Sequence, residues 1–308
     1  MITPTALLLA ALLGDSTRSA TTVGSSATDS LEARIAARVA ALPGARAGVV
    51  LHDLRDRFHV ALASDSSFHA ASTMKVPVMI ELFRRSLTGS FAMGQRLMLV
   101  NRFASIVDGS PYELDAGSDS DSTLYHRIGD RVPIDTLLRL MITRSSNFAT
   151  NTLITLVGAD NVNRTMESLG ARRMKVLRGV EDGKAFERGL NNTTTARDLA
   201  IVLRALEEGR AASPAATREM LGILLDQEFN EKIPAGLPQG TRVAHKTGEI
   251  TAVSHDAAIV YPPGRKPYVL VVLTRGIADG RQSSKLIADL SGIVYRHAAP
   301  GSPPVTSQ

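Results

Sequence analysis

The sequence predicts an α+β fold: an antiparallel sheet assembled from N- and C-terminal segments and flanked by helices, with an all-helical subdomain inserted between them. Three observations carry this reading. Strand-like runs occur near residues 46–63 and return only after Gly240, whereas the segments from Ser72 to about Asp226 are helix-like. The chain has 308 residues, 44% hydrophobic and 21% charged, which suffices for a large core in one domain or two intimately packed ones.

The elements follow in order. Residues 31–42 read as an amphipathic helix, and residues 46–54 and 58–63 as two strands joined by a tight turn. Phe68-His69-Ala70-Ala71 leads into Ser72, and the run from Val76 to Phe83 is too apolar for an exposed helix. Ser72 is therefore expected to start a buried helix, with the positive end of its dipole facing whatever binds there. The polar stretch from Asp108 to Ser122 interrupts the helical region, and its acidic, Ser-rich part reads as solvated rather than ion-binding. Strands are expected at residues 241–250, 257–261 and 268–274, the last two separated by a turn at 262–265, and a final helix over about 282–297. The α/β part would thus comprise residues 28–70 and 227–298, the helical part 71–226, and residues 299–308 a flexible tail.

Residues 6–13 form an apolar stretch too short to span a bilayer, and the small polar residues after it offer a cleavage site ending at Ala27. Residues 1–27 are therefore expected to be a signal peptide and the protein periplasmic or secreted, although a positive n-region is missing and a plain hydrophobic N-terminal tail stays open. No other segment is long and apolar enough for a membrane helix. The net charge is +5 and the pI near 9.7, but the basic residues are scattered, aromatic content is 4% and there is no Trp, which argues against nucleic acid as a partner. The sequence contains no Cys, which excludes disulfides, a thiol nucleophile and thiolate metal sites. The seven His are dispersed with no zinc-hydrolase spacing, and His245 stands where a phosphate-binding loop ending at Lys246-Thr247 would need Gly. No cofactor or metal is expected.

Three short motifs carry chemistry. In Ser72-Thr73-Met74-Lys75 the lysine lies one helical turn from the serine, and a partly desolvated amine is among the few side chains able to accept a serine proton near neutral pH. Ser145-Ser146-Asn147 sits between two helix-like stretches and offers a hydroxyl and an amide from a turn that can enter a cleft. Lys246-Thr247-Gly248 lies in a strand, where Gly permits close backbone approach and Lys presents a fixed charge to an anionic group. Each alone is commonplace. In this order, S-x-x-K, S-x-N and K-T-G resemble the motif set of class A β-lactamases and penicillin-binding proteins, and the resemblance runs from roughly residue 30 to residue 298.

The resemblance implies the β-lactamase/transpeptidase-like fold, with the cleft between its two parts, and a small-molecule substrate, a β-lactam or a peptidoglycan-like amide, bound by a monomer. It also implies roles. Ser72 would attack the carbonyl with Lys75 as proton acceptor or relay, and backbone N–H groups of Ser72 and Glu249 would hold the oxyanion. Ser145 would return the proton to the leaving nitrogen, Asn147 would bind the substrate's side-chain amide, and Lys246 with Thr247 would hold its carboxylate. Glu249 departs from the family, which more often has a small residue there, so its side chain must point away from the oxyanion or narrow the site. His255 falls where many relatives carry a carboxylate-binding residue; a surface His on a strand edge is the plainer alternative. For the water-activating glutamate two registers stay open. Counting back from Thr193-Thr194-Thr195 favours Glu181, with Ala185 then standing where a water-orienting Asn is expected; the E-x-x-x-N spacing is met by Glu187 and Asn191. Asp182 is a lesser candidate. The implied function is a serine β-lactamase; a D-Ala-D-Ala carboxypeptidase, an esterase or a penicillin-binding sensor that acylates without turnover are the alternatives on the same scaffold.

Overall fold

The computed structural model describes residues 23–54 and 59–298. Its main sheet has five antiparallel strands in the order β2-β1-β11-β10-β9: β1 (Arg46–Asp53), β2 (His59–Leu62), β9 (Arg242–Ile250), β10 (Val253–Tyr261) and β11 (Tyr268–Arg275). The two N-terminal strands join the three C-terminal ones where β1 pairs with β11, from Arg46 opposite Arg275 to Asp53 opposite Tyr268. Strand β11 is buried from Tyr268 to Thr274, as expected of a central strand covered on both faces. Strand β9 is the outer strand on the side of the helical part, so one of its edges is unpaired within the sheet.

Two apolar cores lie on either side of the sheet. Helices α1 (Val23–Ala40) and α9 (Gly280–Ala298) cover one face through Leu31, Ile35, Leu286, Ile287, Leu290 and Val294. The other face packs on α7 (Ala196–Glu207) and the rest of the helical part, where α2 (Lys75–Leu87) runs through the middle, buried without interruption from Lys75 to Phe83. Pro77 is tolerated there because it lies in the first turn, where its missing N–H leaves no gap. Helices α3 (Ile134–Thr143), α4 (Asn147–Val157), α5 (Ala159–Leu169) and α8 (Pro214–Leu225) surround it, and a short α6 (Gly183–Glu187) rides on the outside. Three two-stranded ladders also occur: β3 (Phe68–His69) with β8 (Thr193–Thr194), β4 (Arg96–Met98) with β7 (Arg131–Pro133), and β5 (Phe103–Ala104) with β6 (Pro111–Tyr112).

The α+β reading and the strand-helix-strand order hold. The ladders of two or three residues are too short to show an alternation and were not expected. Strand β10 begins at Val253, four residues before the expected start, because polar Ser254, His255 and Asp256 hide its apolar pattern. Helix α1 includes Ala27, whereas residues 1–22, the tail 299–308 and the tight turn expected between β1 and β2 lie outside the described residues.

Candidate active site

Ser72 occupies a 3-10 turn, Ala71–Met74, that runs directly into α2. Ala71 adopts a left-handed backbone (φ 45°), and its amide is held by Nδ1 of His69 at 3.0 Å. Strand β9 presses against this turn. A Cβ on Gly248 would come within 3.1 Å of the Ser72 nitrogen and 3.2 Å of the Ala71 Cβ, so glycine is what lets the strand approach.

Lys75 is fully buried, and its Nζ donates to the Ser145 carbonyl at 2.6 Å, to Ser145 Oγ at 3.1 Å and to Asn147 Oδ1 at 2.9 Å. Three acceptors satisfy a protonated amine; burial opposes that state and lowers the Lys75 pKa to about 7, against partial support from Asp119 and Glu181. Lys246 is also fully buried and donates to Ser145 Oγ at 3.0 Å and to the Thr247 carbonyl at 3.0 Å. Burial first, then the neighbouring Lys75 and Lys232 charges, pushes its pKa well down. Ser145 Oγ thus accepts from two lysines, which leaves its own proton to be donated elsewhere.

The Ser145 turn is shaped for this. Ser145 is left-handed (φ 57°), and Ser146 caps α4 by accepting from the Ala149 amide at 3.3 Å. Asp119 completes the cap, taking the Asn147 amide at 2.9 Å and the Phe148 amide at 2.9 Å, while its other neighbour Tyr125 donates its hydroxyl at 3.0 Å. The acidic loop is therefore not simply solvated: Asp119 anchors the helix that carries Asn147. Sequence reasoning missed it because its partners are 28 and 29 residues away.

Glu181 reaches the same turn. Its Oε1 accepts from Asn147 Nδ2 at 2.6 Å and its Oε2 from Ser118 Oγ at 3.4 Å. Burial raises its pKa, opposed by the Asn147 bond. Like Ser145 it is left-handed (φ 61°), a conformation that strains a non-glycine residue by about 1 kcal/mol or more. Glu187 instead ends α6 in an exposed position, and Asn191 Oδ1 accepts from Arg178 at 3.1 Å in the neck of the loop. Asp182 is structural: its carboxylate accepts from Ser105 Oγ, the Ile106 amide and the Ala185 amide, capping α6. Asn151 adds a contact the sequence did not reveal, pairing with Val180 through both its N–H (2.6 Å) and its carbonyl (3.0 Å) just before Glu181.

The structure brings Ser72, Lys75, Ser145, Asn147, Lys246, Gly248 and Glu181 to one cleft. His255 does not join them. It lies on β10 opposite Gly248, fully buried, with Nε2 2.8 Å from the His69 carbonyl and Nδ1 2.7 Å from the Ser254 carbonyl and 3.2 Å from the Thr274 amide. Burial lowers its pKa to about 4, so it is a neutral brace behind the Ser72 turn and cannot offer charge to a carboxylate. Strand parity does not exclude it, since His255 shares the face of Lys246 and Gly248; its ring is instead taken up by backbone groups behind the Ser72 turn, whereas Thr247 and Glu249 project from the other face. On that face the cation is Lys232, 1% exposed, with Nζ 3.4 Å from Glu249 Oε2; an isolated lysine in a connection gave no signal in the sequence. Glu249 therefore points away from Ser72 rather than narrowing the oxyanion position.

Comparison with known proteins places the chain in a family. The model of the β-lactamase enzyme family matches residues 30–298, and the chain belongs to that family. Among curated relatives, the β-lactamase of Streptomyces albus G is 27% identical over 276 residues, covering 88% of this chain and 85% of the relative. Among solved structures, a mutant of PBP-A in acyl-enzyme complex with penicillin G is 28% identical with a TM-score of 0.76, covering 87% of this chain and 96% of that one. A β-lactamase from Sphaerobacter thermophilus DSM 20745 is likewise 28% identical, with a TM-score of 0.72 and coverage of 87% and 98%.

Proposed function

We propose that the protein is a class A-type serine β-lactam hydrolase that opens the ring through an acyl-enzyme on Ser72. The observation that carries this reading is the convergence of Lys75 and Lys246 on Ser145 Oγ, beside a serine whose backbone lies under the Gly248 strand. Neutral Lys75 has a lone pair for the Ser72 proton, and a pKa near 7 makes that form available at physiological pH. The attacked carbonyl oxygen would be held by the backbone N–H groups of Ser72 and Glu249. Ser145 then passes its proton to the leaving nitrogen and is reprotonated from Lys75, which restores the starting state. Asn147 binds the acyl side-chain amide, Thr247 and Lys246 bind the substrate carboxylate, and Glu181 activates water for deacylation.

A second reading has two observations in its favour. Ala185, fully buried, stands where a water-orienting Asn would be expected, and Asn147 engages Glu181 directly. Both would slow deacylation, and an acylating sensor or a carboxypeptidase needs no fast deacylation by water. Among the described residues no helix is long and apolar enough to cross a membrane, and we propose a monomer exported to the periplasm or outside.

Nitrocefin turnover with intact-mass spectrometry tests the proposal. A single adduct on the Ser72 peptide with steady hydrolysis is expected; a one-equivalent burst without turnover selects the sensor, and release of D-alanine from peptides the carboxypeptidase. Full activity in Ser72→Ala would overturn the assignment.

A further inference from the structure

One carboxylate at the rim of the cleft has no place in the chemistry above. Glu249 follows Lys246-Thr247-Gly248 on the outer strand β9, and its side chain is 56% exposed, yet its Oε2 lies 3.4 Å from Nζ of Lys232, which is 1% exposed. A desolvated ammonium needs an anion, and here a flexible rim side chain supplies it. The surroundings read as a place for a ligand anion. Thr247 and Glu249 share one face of β9, and the register sets Asp256 beside Thr247 and Ser254 beside Glu249 on β10. The Asp256 carboxylate is already engaged, by His245 Nδ1 at 3.0 Å and the Ile233 amide at 3.0 Å. Ser254 Oγ, by contrast, is buried in a residue 2% exposed and has no hydrogen-bond partner among the described residues. A buried cation, the Thr247 side chain and an unpartnered hydroxyl thus line one face, and the protein's own carboxylate sits against the cation.

We propose that Glu249 occupies the anion subsite of its own cleft: in the free protein its carboxylate neutralises Lys232, and it must swing into solvent before a substrate carboxylate can take its place. Glu249 is then a specificity-determining residue that penalises monoanionic substrates relative to their neutral analogues. Exposure makes the displacement feasible, because solvent receives the released carboxylate and an ion pair with one exposed partner is weak. The identity of the substrate rests on the β-lactam reading; the occupied subsite does not.

The test compares the parent with Glu249→Gln, which keeps shape and removes charge. Two quantities are read: the ratio of Ser72 acylation rates by benzylpenicillin and by its neutral methyl ester, and the melting temperature with added sulfate as a simple anion. In E249Q the acid-to-ester ratio should rise about five- to tenfold, on the scale of a weak ion pair, and sulfate should raise the melting temperature of the variant but not of the parent. Adding Lys232→Met to E249Q should abolish both gains. Equal sulfate responses in parent and E249Q, or gains that survive removal of Lys232, overturn the proposal. If neither penicillin nor its ester acylates the parent, the β-lactam reading fails, and the sulfate response alone decides the Glu249 assignment.

Discussion

Asn147 donates through Nδ2 to Glu181 Oε1 at 2.6 Å, while the opposite end of the same amide accepts from Lys75 Nζ at 2.9 Å. One side chain therefore links the base proposed for acylation to the one proposed for deacylation. The link fixes the amide orientation, since only Oδ1 can face an ammonium and only Nδ2 a carboxylate. It also spends one Glu181 oxygen that a hydrolytic water would otherwise use.

The two glutamates should separate cleanly. Glu181→Gln keeps the shape and loses the basicity, so Ser72 should still acylate while deacylation falls by about two to four orders of magnitude. Intact-mass spectrometry would then show the adduct accumulating. Glu187→Gln, at an exposed helix end, should turn over like the parent. An adduct trapped by Glu187→Gln and not by Glu181→Gln would transfer the role to the Glu187–Asn191 register.

Lys75 gives the acylation step its pH profile. Its pKa is lowered from 10.5 to about 7, so below pH 7 the neutral form should fall, and with it the single-turnover acylation rate, by about tenfold per unit. Above pH 7 the rate should level. The same shift couples to stability: between pH 7 and 10.5 the unfolded chain holds the proton that folded Lys75 has released, so this group's contribution rises with pH across that window and is lost as pH falls through 7. Stopped-flow acylation between pH 5.5 and 9 checks the first claim, and a flat profile would exclude Lys75 as the base.

What the sequence made legible, and what it hid, follows from the range of each interaction. Ser72 and Lys75 share a turn, and Lys246 and Gly248 share a strand, so spacing alone exposed them. The main sheet was visible because β9, β10 and β11 carry apolar runs ended by turn residues. Asp119 looked solvated because its worth lies in two amides far along the chain. For His255 the strand was right, but its ring is taken up by the His69 carbonyl, 186 residues away, which no local pattern reveals. Lys232 shares no pattern with Glu249, 17 residues away; only folding makes them neighbours.

Gly248 should tolerate no side chain without cost to chemistry. In Gly248→Ala the new Cβ would meet the Ser72 nitrogen at 3.1 Å and Thr73 Cγ2 at 3.2 Å, so strand and turn must part by a few tenths of an ångström. Stability should fall by about 1 kcal/mol, in the range for mild overpacking. Acylation should fall further, by about tenfold to a hundredfold, because the Ser72 N–H is proposed as an oxyanion donor and such donors depend on position. Melting temperature and acylation rate measured together check this; a stability loss with an unchanged rate would remove the Ser72 amide from the oxyanion site.

The loop that carries Glu181 should depend on a steric exclusion beside it. A Cβ on Gly179 would fall 2.3 Å from Asn151 Oδ1 and 2.7 Å from its Cγ, so in Gly179→Ala the Asn151 side chain must turn away. It would then lose both bonds to Val180, the residue before Glu181, and buried polar groups left unpaired cost about 1 to 3 kcal/mol. Asn151→Ala removes the same two bonds without the clash. Both variants should slow deacylation and expose residues 178–191 to limited proteolysis while leaving acylation near the parent rate, because Ser72, Lys75 and Ser145 are untouched. Since the substitutions break one shared contact, the double variant should be little worse than either single one. Fully additive losses, or a loop as protected as the parent's, would show that the Asn151 clamp does not hold Glu181 in place.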